Sequence, residues 1–245
     1  MNKIINIFNT ANELADKLAI TFYDHVRDLC LKKSKITIAL SGGHTPELLF
    51  KKIAARLPSP DALPDLSKVH FFWGDERCVP PHHPDSNYRM ANLYLLRALH
   101  INESNVHRIR GERKPEEEIL RYREDILQHV TLKNGVPVFD WIFLGMGDDG
   151  HTASIFPDQM SLLHSDELCA AAVHPLSGQQ RITFTGKTII NARLITFLVT
   201  GRRKSKIIKE IMNDEPVAKL YPASYIKPLK GKLEWYLDKE AAGGI

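Results

Sequence analysis

An aspartate and a histidine lie two residues apart, just after a short apolar segment in the middle of the chain. The segment 141–144 is predicted to be a buried strand, and the glycine-rich turn that follows it ends in Asp149 and His151. Open α/β sheets place their chemistry at the carboxyl ends of strands. His151 is therefore a candidate general base, with Asp149 orienting its ring and Gly147 near the ligand. A glycine-rich turn with two solvated side chains would show the same pattern.

A second apolar segment, 36–40, also leads into a glycine-containing turn. The stretch 47–57 that follows is amphipathic and predicted to be a helix, with Pro46 as its first residue. N–H groups at the start of a helix attract anions, so the turn is a candidate phosphate cradle, although a tight turn with a capped helix is as good an interpretation. It matches neither the nucleoside triphosphate loop nor the dinucleotide fingerprint. Its candidate ligand-binding residues are Ser41, Gly42, Gly43 and Thr45.

A third predicted strand, 69–73, ends in a glycine and is followed at once by charged residues. Asp75 and Arg77 are candidate catalytic residues there, although charged clusters after strands are often solvated loops. The segment 85–87 is predicted to cap the next helix, and Asn87 is a candidate for orienting the loops or contacting sugar hydroxyls. The predicted apolar face of that helix consists of Met90, Leu93, Leu96 and Leu99.

Strands and helices alternate along the chain. A first strand is predicted over 4–8, followed by a helix that Thr10 and Glu13 begin with a capping box. Its apolar stripe is Leu14, Leu18, Phe22, Val26 and Leu29. Further helices are predicted over about 115–130 and through 206–212, a further strand over 193–200, and a loop over 57–68. Such alternation predicts a mostly parallel sheet with helices on both faces.

The segments SGGHTPELL, FFWGDERCVPPHHPDSNYRM and LGMGDDGHTASIFP closely resemble those of 6-phosphogluconolactonases, in the glucosamine-6-phosphate isomerase/6-phosphogluconolactonase family. The resemblance continues through QRITFT at 180–185 and TGRRK at 200–204, and so covers nearly the whole chain. Family members often carry a Lys-Pro pair shortly before the RITFT-like segment, where this chain has PLSGQ at 175–179. Arg181 and Lys204 would therefore carry more of the anion binding here.

The resemblance implies a single α/β domain over 1–245, with the three-layer αβα fold of the sugar-phosphate isomerase/deaminase superfamily. It also implies hydrolysis of 6-phospho-D-glucono-1,5-lactone to 6-phospho-D-gluconate in the oxidative pentose phosphate pathway, with water activated by His151. The phosphate would lie near the 41–45 turn, with Arg181 and Lys204 completing the pocket. Arg77 could serve either the phosphate or the oxyanion, for which N–H groups of the 145–150 turn are also candidates. No metal or cofactor is expected, because an ester carbonyl is already electrophilic.

Two other functions fit parts of the pattern. Glucosamine-6-phosphate deaminases and other sugar-phosphate isomerases share the DGH motif, but the deaminases carry an acidic residue soon after it, where this chain has Phe156. A sugar-phosphate sensor without catalysis is the second alternative. The presence of Asp75, Asp149 and His151 together argues against a sensor, as does the lack of an attached DNA-binding segment.

Composition excludes several other classes of protein. The 245 residues are 43% hydrophobic and 25% charged, as in an ordinary globular protein, and the net charge of +4 suits an anionic substrate but is too weak to indicate nucleic acid. Three cysteines without a CxxC pair indicate neither a disulfide framework nor a zinc site.

The first residues are too polar for a signal peptide, and no apolar run could span a membrane. We expect a cytoplasmic monomer or weak homo-oligomer whose partner is a small sugar-phosphate lactone.

Overall fold

The computed structural model describes residues 3–59 and 62–245, so Pro60 and Asp61 of the predicted 57–68 loop lie outside the described residues. The strands are β1 Lys3–Phe8, β2 Ile36–Leu40, β3 Val69–Trp73, β4 Asp75–Arg77, β5 Val106–His107, β6 Leu132–Lys133, β7 Val136–Pro137, β8 Trp141–Leu144, β9 Cys169–Val173, β10 Gln180–Phe184, β11 Leu194–Val199 and β12 Lys232–Asp238. The helices are α1 Ala11–Cys30, α2 His44–Ala55, α3 Asn87–Ala91, α4 Pro115–His129, α5 Gly186–Ile190 and α6 Ser205–Met212. Within these ranges no helix is both long enough and apolar enough to span a bilayer.

Seven parallel strands form the main sheet, in the order β1-β12-β11-β8-β2-β3-β5. From β2 the chain proceeds to β3 on one side, and from β8 it proceeds to β11 on the other side. The direction of winding therefore reverses between the neighbours β2 and β8. In open parallel sheets a crevice forms at such a reversal, outside the carboxyl ends of the strands. The turns at 41–43 and 145–151 both begin there.

Helices cover both faces of this sheet, which confirms the predicted three-layer arrangement. In the register of β3, β2 and β8, Trp141 lies one position away from the row that contains Phe72, so the two rings point to opposite faces. Helix α1 packs on one face, where the ring of Phe22 lies 6.1 Å from Trp141. Helix α4 packs on the other face, where the ring of Tyr122 lies 6.4 Å from Phe72.

Helix α1 forms where the periodicity predicts it. The Thr10 hydroxyl accepts a hydrogen bond from the Glu13 N–H at 3.1 Å, while the Glu13 carboxylate accepts from the N–H of Asn9, one residue before the cap. Four residues of the predicted stripe are fully buried, and Leu29 is partly buried. Apolar periodicity and a capping side chain are therefore enough to predict this helix.

The structure contradicts two predicted details near the site. Helix α2 begins at His44 rather than at Pro46, because Gly43, with a φ of +101°, is the cap residue. Pro46 is the third helical residue, where its missing N–H still breaks no helical bond. Leu93 is 45% exposed and Leu95 is buried in its place, because a π-helical turn over Asn92–Leu96 widens the spacing of the buried positions.

Several strands were not predicted from the sequence, among them β9 and β12. Strand β12 lies between β1 and β11, so it connects the first strand of the chain to the sheet. Its sequence, KLEWYLD, mixes charged and apolar residues and is not followed by a glycine turn. Strand β9 pairs antiparallel with β10, which in turn pairs with β4 in a separate three-stranded sheet.

The hydroxyl of Tyr122 joins α4 to the end of β3. The N–H of Trp73 donates to this hydroxyl at 2.9 Å, and the hydroxyl donates to the Trp73 carbonyl at 2.8 Å. Tyr122→Phe leaves both buried backbone groups without partners, so we expect it to lower the free energy of unfolding by about 2–4 kcal/mol. Urea denaturation measures this loss. As a control, Tyr225→Phe removes one exposed bond, to the Lys219 carbonyl, and should change stability by about 0.5 kcal/mol or less.

Candidate active site

The turns after β2, β8 and β11 meet at one cavity of about 500 Å³, and β4 and β10 supply another wall. The predicted site residues that line it are Ser41, Gly42, Gly43, Thr45, Asp75, Arg77, Asn87, Gly147, His151, Arg181 and Lys204. Asp149, the remaining predicted residue, contacts the ring of His151 instead. The structure thus brings together candidates that are up to 163 positions apart in the sequence. Their individual roles remain predictions.

His151 and Asp149 form a hydrogen-bonded pair. The Nδ1 atom of His151 lies 2.6 Å from Oδ1 of Asp149, and the backbone N–H of His151 donates to the same oxygen at 3.0 Å. Burial alone would raise the pKa of the Asp149 carboxyl, but its hydrogen bond to the His151 ring and the charge of that ring lower it to about 2. An ionised carboxylate can only accept, so Nδ1 carries a proton, and whenever the ring is neutral its lone pair lies on Nε2.

Close packing fixes the position of the His151 ring. A Cβ atom on Gly147 would lie 2.1 Å from Nδ1 of that ring, so only glycine leaves room for it. The Phe156 ring packs against the His151 ring with centroids 4.9 Å apart. The N–H groups of Gly147 and Gly150 donate to carbonyls inside the turn, at 2.9 and 3.1 Å. These two N–H groups, which the sequence made candidates for the oxyanion, are therefore already bonded.

Asp75 connects β4 to the turn that carries the histidine. Its buried carboxylate accepts a hydrogen bond from the Ser154 hydroxyl at 2.7 Å, and its carbonyl accepts from the Asn87 side-chain amide at 2.9 Å. The Ser154 N–H donates in turn to the Thr183 hydroxyl at 3.1 Å. Ser154 was not among the predicted site residues, although its place inside the DGHTAS motif was a signal.

Glu76 holds the start of α3 in place and was also missed. Its buried carboxylate accepts from the N–H groups of Asn87 and Tyr88, both at 2.7 Å, and from the Ser86 hydroxyl at 3.1 Å. Burial raises the pKa of Glu76 to about 7, while these N–H bonds oppose that rise. Asn87 is held so close to the phosphate-cradle turn that a Cβ atom on Gly42 would lie 1.9 Å from its Oδ1.

Two arginines lie side by side on the wall of the cavity. Arg77 on β4 and Arg181 on β10 are register partners, and the buried Nε of each has no hydrogen-bond partner among the described residues. Arg77 also donates to the Asp85 carbonyl. Burial, followed by the charge of Arg77, lowers the pKa of Arg181. Neighbouring guanidiniums with unused donors favour an anion between or beside them.

Lys204, the other predicted cation, already has a carboxylate partner. Its Nζ lies 2.5 Å from Oδ1 of Asp148, a residue that was not predicted. The hydrogen bond from Lys204 lowers the pKa of Asp148, against the opposing effect of burial. The Thr45 and Thr200 hydroxyls lie 2.8 Å apart and join the first turn of α2 to the turn after β11.

Comparison with known proteins gives the family of the chain. A profile described as glucosamine-6-phosphate isomerases/6-phosphogluconolactonase matches residues 9–235. The chain belongs to this family. The resemblance predicted from the three motifs is thereby confirmed.

Relatives from this family cover almost the whole chain. A 6-phosphogluconolactonase of Haemophilus influenzae is 44% identical over 234 residues, which are 96% of each chain. The crystal structure of the devB protein is 39% identical, with a TM-score of 0.90 and full coverage of both chains. The 6-phosphogluconolactonase structure from Trypanosoma brucei is 27% identical, with a TM-score of 0.83, and covers 100% of this chain and 99% of that one. The predicted fold class is confirmed by these structures.

The lowered pKa of Asp149 makes its effect on stability depend on pH. A carboxyl that titrates near 2 in the folded chain and near 3.8 in the unfolded chain stabilises the fold above pH 3.8, and this stabilisation is lost as the pH falls through 2. Because the side chain is 42% exposed, we expect Asp149→Asn to cost only about 1 kcal/mol at pH 6. Urea denaturation should show that this difference is about half as large at pH 3. A difference independent of pH would contradict the pairing.

Proposed function

We propose that the chain hydrolyses 6-phospho-D-glucono-1,5-lactone to 6-phospho-D-gluconate, with His151 as the general base. The observation that carries the proposal is the His151–Asp149 pair at the edge of a cavity rich in cationic side chains. The two lactonase relatives described above support the reaction, since both align over nearly their full length.

The reaction needs one water molecule and one group that can take and return a proton. Water attacks the lactone carbonyl carbon while its proton passes to Nε2 of His151, and a tetrahedral oxyanion forms. When the bond from that carbon to the ring oxygen breaks, the ring oxygen takes a proton from the imidazolium and becomes the C5 hydroxyl. Asp149 stabilises the charged ring between the two steps. A positioned base of this kind contributes about 10²–10⁴-fold to the rate.

Arg77 is the favoured partner of the oxyanion. Its buried Nε donor has no partner among the described residues, and its side chain lines the same cavity as His151. The N–H groups of Gly147 and Gly150 are already bonded within the turn. A guanidinium is a strong donor to a developing negative charge.

The phosphate would bind at the start of α2, between the 41–45 turn and the cations Arg181 and Lys204. Five cationic and two carboxylate side chains line the cavity, an excess that suits a dianion. The N–H groups at the start of α2 add donors. Asp75 and Asn87, which are hydrogen-bonded to each other and line the same cavity, would contact the sugar hydroxyls.

The isomerase and sensor alternatives have less support. In place of the acidic residue of the deaminases, the apolar ring of Phe156 packs against His151 and is almost fully buried. Ring opening followed by proton transfer between carbons needs a second acid–base group, which this packing does not supply. A sensor would not need a histidine held by an ionised carboxylate.

His151→Ala should lower the turnover of the lactone by about 10²–10⁴-fold, because the water loses its base. The substrate is generated in situ and its loss is followed with and without protein, after subtraction of spontaneous hydrolysis. Binding of 6-phosphogluconate should be nearly unchanged, which separates lost chemistry from lost folding. A folded His151→Ala protein with full activity would contradict the assignment.

Arg181→Met should weaken binding of 6-phosphogluconate by about ten- to a hundredfold, since a hydrogen bond to a charged group contributes about 1.5–3 kcal/mol. Gluconate, which lacks the phosphate, should lose little affinity. Calorimetry with both ligands makes the comparison, and Arg123→Met, at an exposed position on α4, controls for the loss of one positive charge. Equal losses for the two ligands would mean that Arg181 does not bind the phosphate.

A further inference from the structure

One carboxylate in the cavity has no role in the reaction described above. Asp148 lines the cavity next to Asp149, and its side chain is 49% exposed. Its Oδ1 lies 2.5 Å from Nζ of Lys204, and its Oδ2 lies 3.6 Å from Nε of Arg203. The Lys204 side chain is only 18% exposed, so little of it is open to solvent. The lysine assigned to the phosphate is therefore already engaged.

A phosphate that reaches Lys204 must also approach Asp148. Either the carboxylate gives up its hydrogen bond to the lysine, or it stays within a few ångströms of a dianion. Both outcomes oppose binding, because a broken ion pair and a close like-charge contact each raise the free energy of the complex. We propose that Asp148 competes with the substrate phosphate for Lys204 and thereby limits how tightly the site holds phosphate-bearing ligands. This inference rests on the proposed function.

Such a competitor affects turnover as well as affinity. The phosphate is remote from the ester and is the same in the substrate, the transition state and the product. Binding it more tightly would stabilise all three, which lowers KM without raising kcat and delays product release. It would also favour inorganic phosphate as an inhibitor. Five cationic side chains line the cavity, and Asp148 reduces their combined affinity for the phosphate.

Two backbone hydrogen bonds hold the turn without involving the Asp148 side chain. The Gly147 N–H donates to the His151 carbonyl at 2.9 Å, and the Ala223 N–H donates to the Gly150 carbonyl at 3.0 Å. Both bonds remain when the Asp148 side chain is changed. A purely structural role for Asp148 would predict weaker binding in a variant, whereas competition predicts tighter binding.

The test measures binding of 6-phosphogluconate, inorganic phosphate and gluconate by calorimetry. Asp148→Asn should tighten both phosphate ligands by about three- to tenfold and leave gluconate unchanged. Asp148→Ala should give the same sign, which excludes a new bond from the Asn amide. The matched control is Asp166→Asn, which also removes an aspartate paired with a lysine, Lys187, but lies outside the cavity lining. It should change none of the three affinities.

A double-mutant cycle with Lys204→Met shows whether the competition acts through the lysine. The gain from Asp148→Asn should disappear in the Lys204→Met background. A gain of equal size there, no gain in wild type, or weaker phosphate binding would each overturn the inference. If wild type hydrolyses the lactone and binds 6-phosphogluconate while Asp148→Asn changes nothing, only this inference fails. If wild type neither hydrolyses the lactone nor binds its product, the proposed function fails with it.

Discussion

The reversal of winding between β2 and β8 determines where the turns that carry the candidate site residues come together. Because these strands are neighbours and the chain departs from them in opposite directions, the turns that follow them border one crevice that no crossover covers. The 41–43 turn brings the start of α2, and the 145–151 turn brings the histidine. The three-stranded sheet then closes one side with β4 and β10. In a site assembled this way, the turns themselves bring the side chains together at one end of the sheet.

Much of this arrangement could be predicted from the chain because the decisive signals are local. A β-branched or aromatic run followed by glycine and polar residues predicts both a strand and the position of its carboxyl end. The predicted site residues after β2, β3 and β8, except Asp149, do line one cavity. The details that failed depend either on a local departure from regular helix geometry or on contacts between distant segments. Leu93 is exposed because one turn of the helix widens, and β12 is defined by pairing with β1 and β11 rather than by its own mixed sequence.

The site residues that were missed act on other residues rather than on a ligand. Glu76 and Ser154 accept and donate hydrogen bonds that hold Asn87 and Asp75. Asp148 could not be distinguished from its neighbour by spacing alone, since two adjacent aspartates point in different directions only once the turn has formed. The sequence also could not reveal that Arg77 and Arg181, which belong to two separate motifs, are neighbours in the fold. Their like charges lie in register on adjacent strands, a contact that is unfavourable in isolation and becomes favourable when an anion binds.

The glycines at 42 and 147 also limit which sequences can occupy these turns. Each lies so close to a predicted site residue, Asn87 or His151, that a methyl group would overlap that side chain, so most substitutions are excluded by volume before chemistry is considered. The presence of such a motif therefore indicates the shape of the turns at least as much as it indicates a particular reaction. One set of turns can therefore be inherited by enzymes with different chemistry, as the joint isomerase and lactonase description of the family implies. Divergence of function within this fold is then expected to begin at side chains such as Phe156, which packs against the His151 ring and can change without altering the path of the backbone.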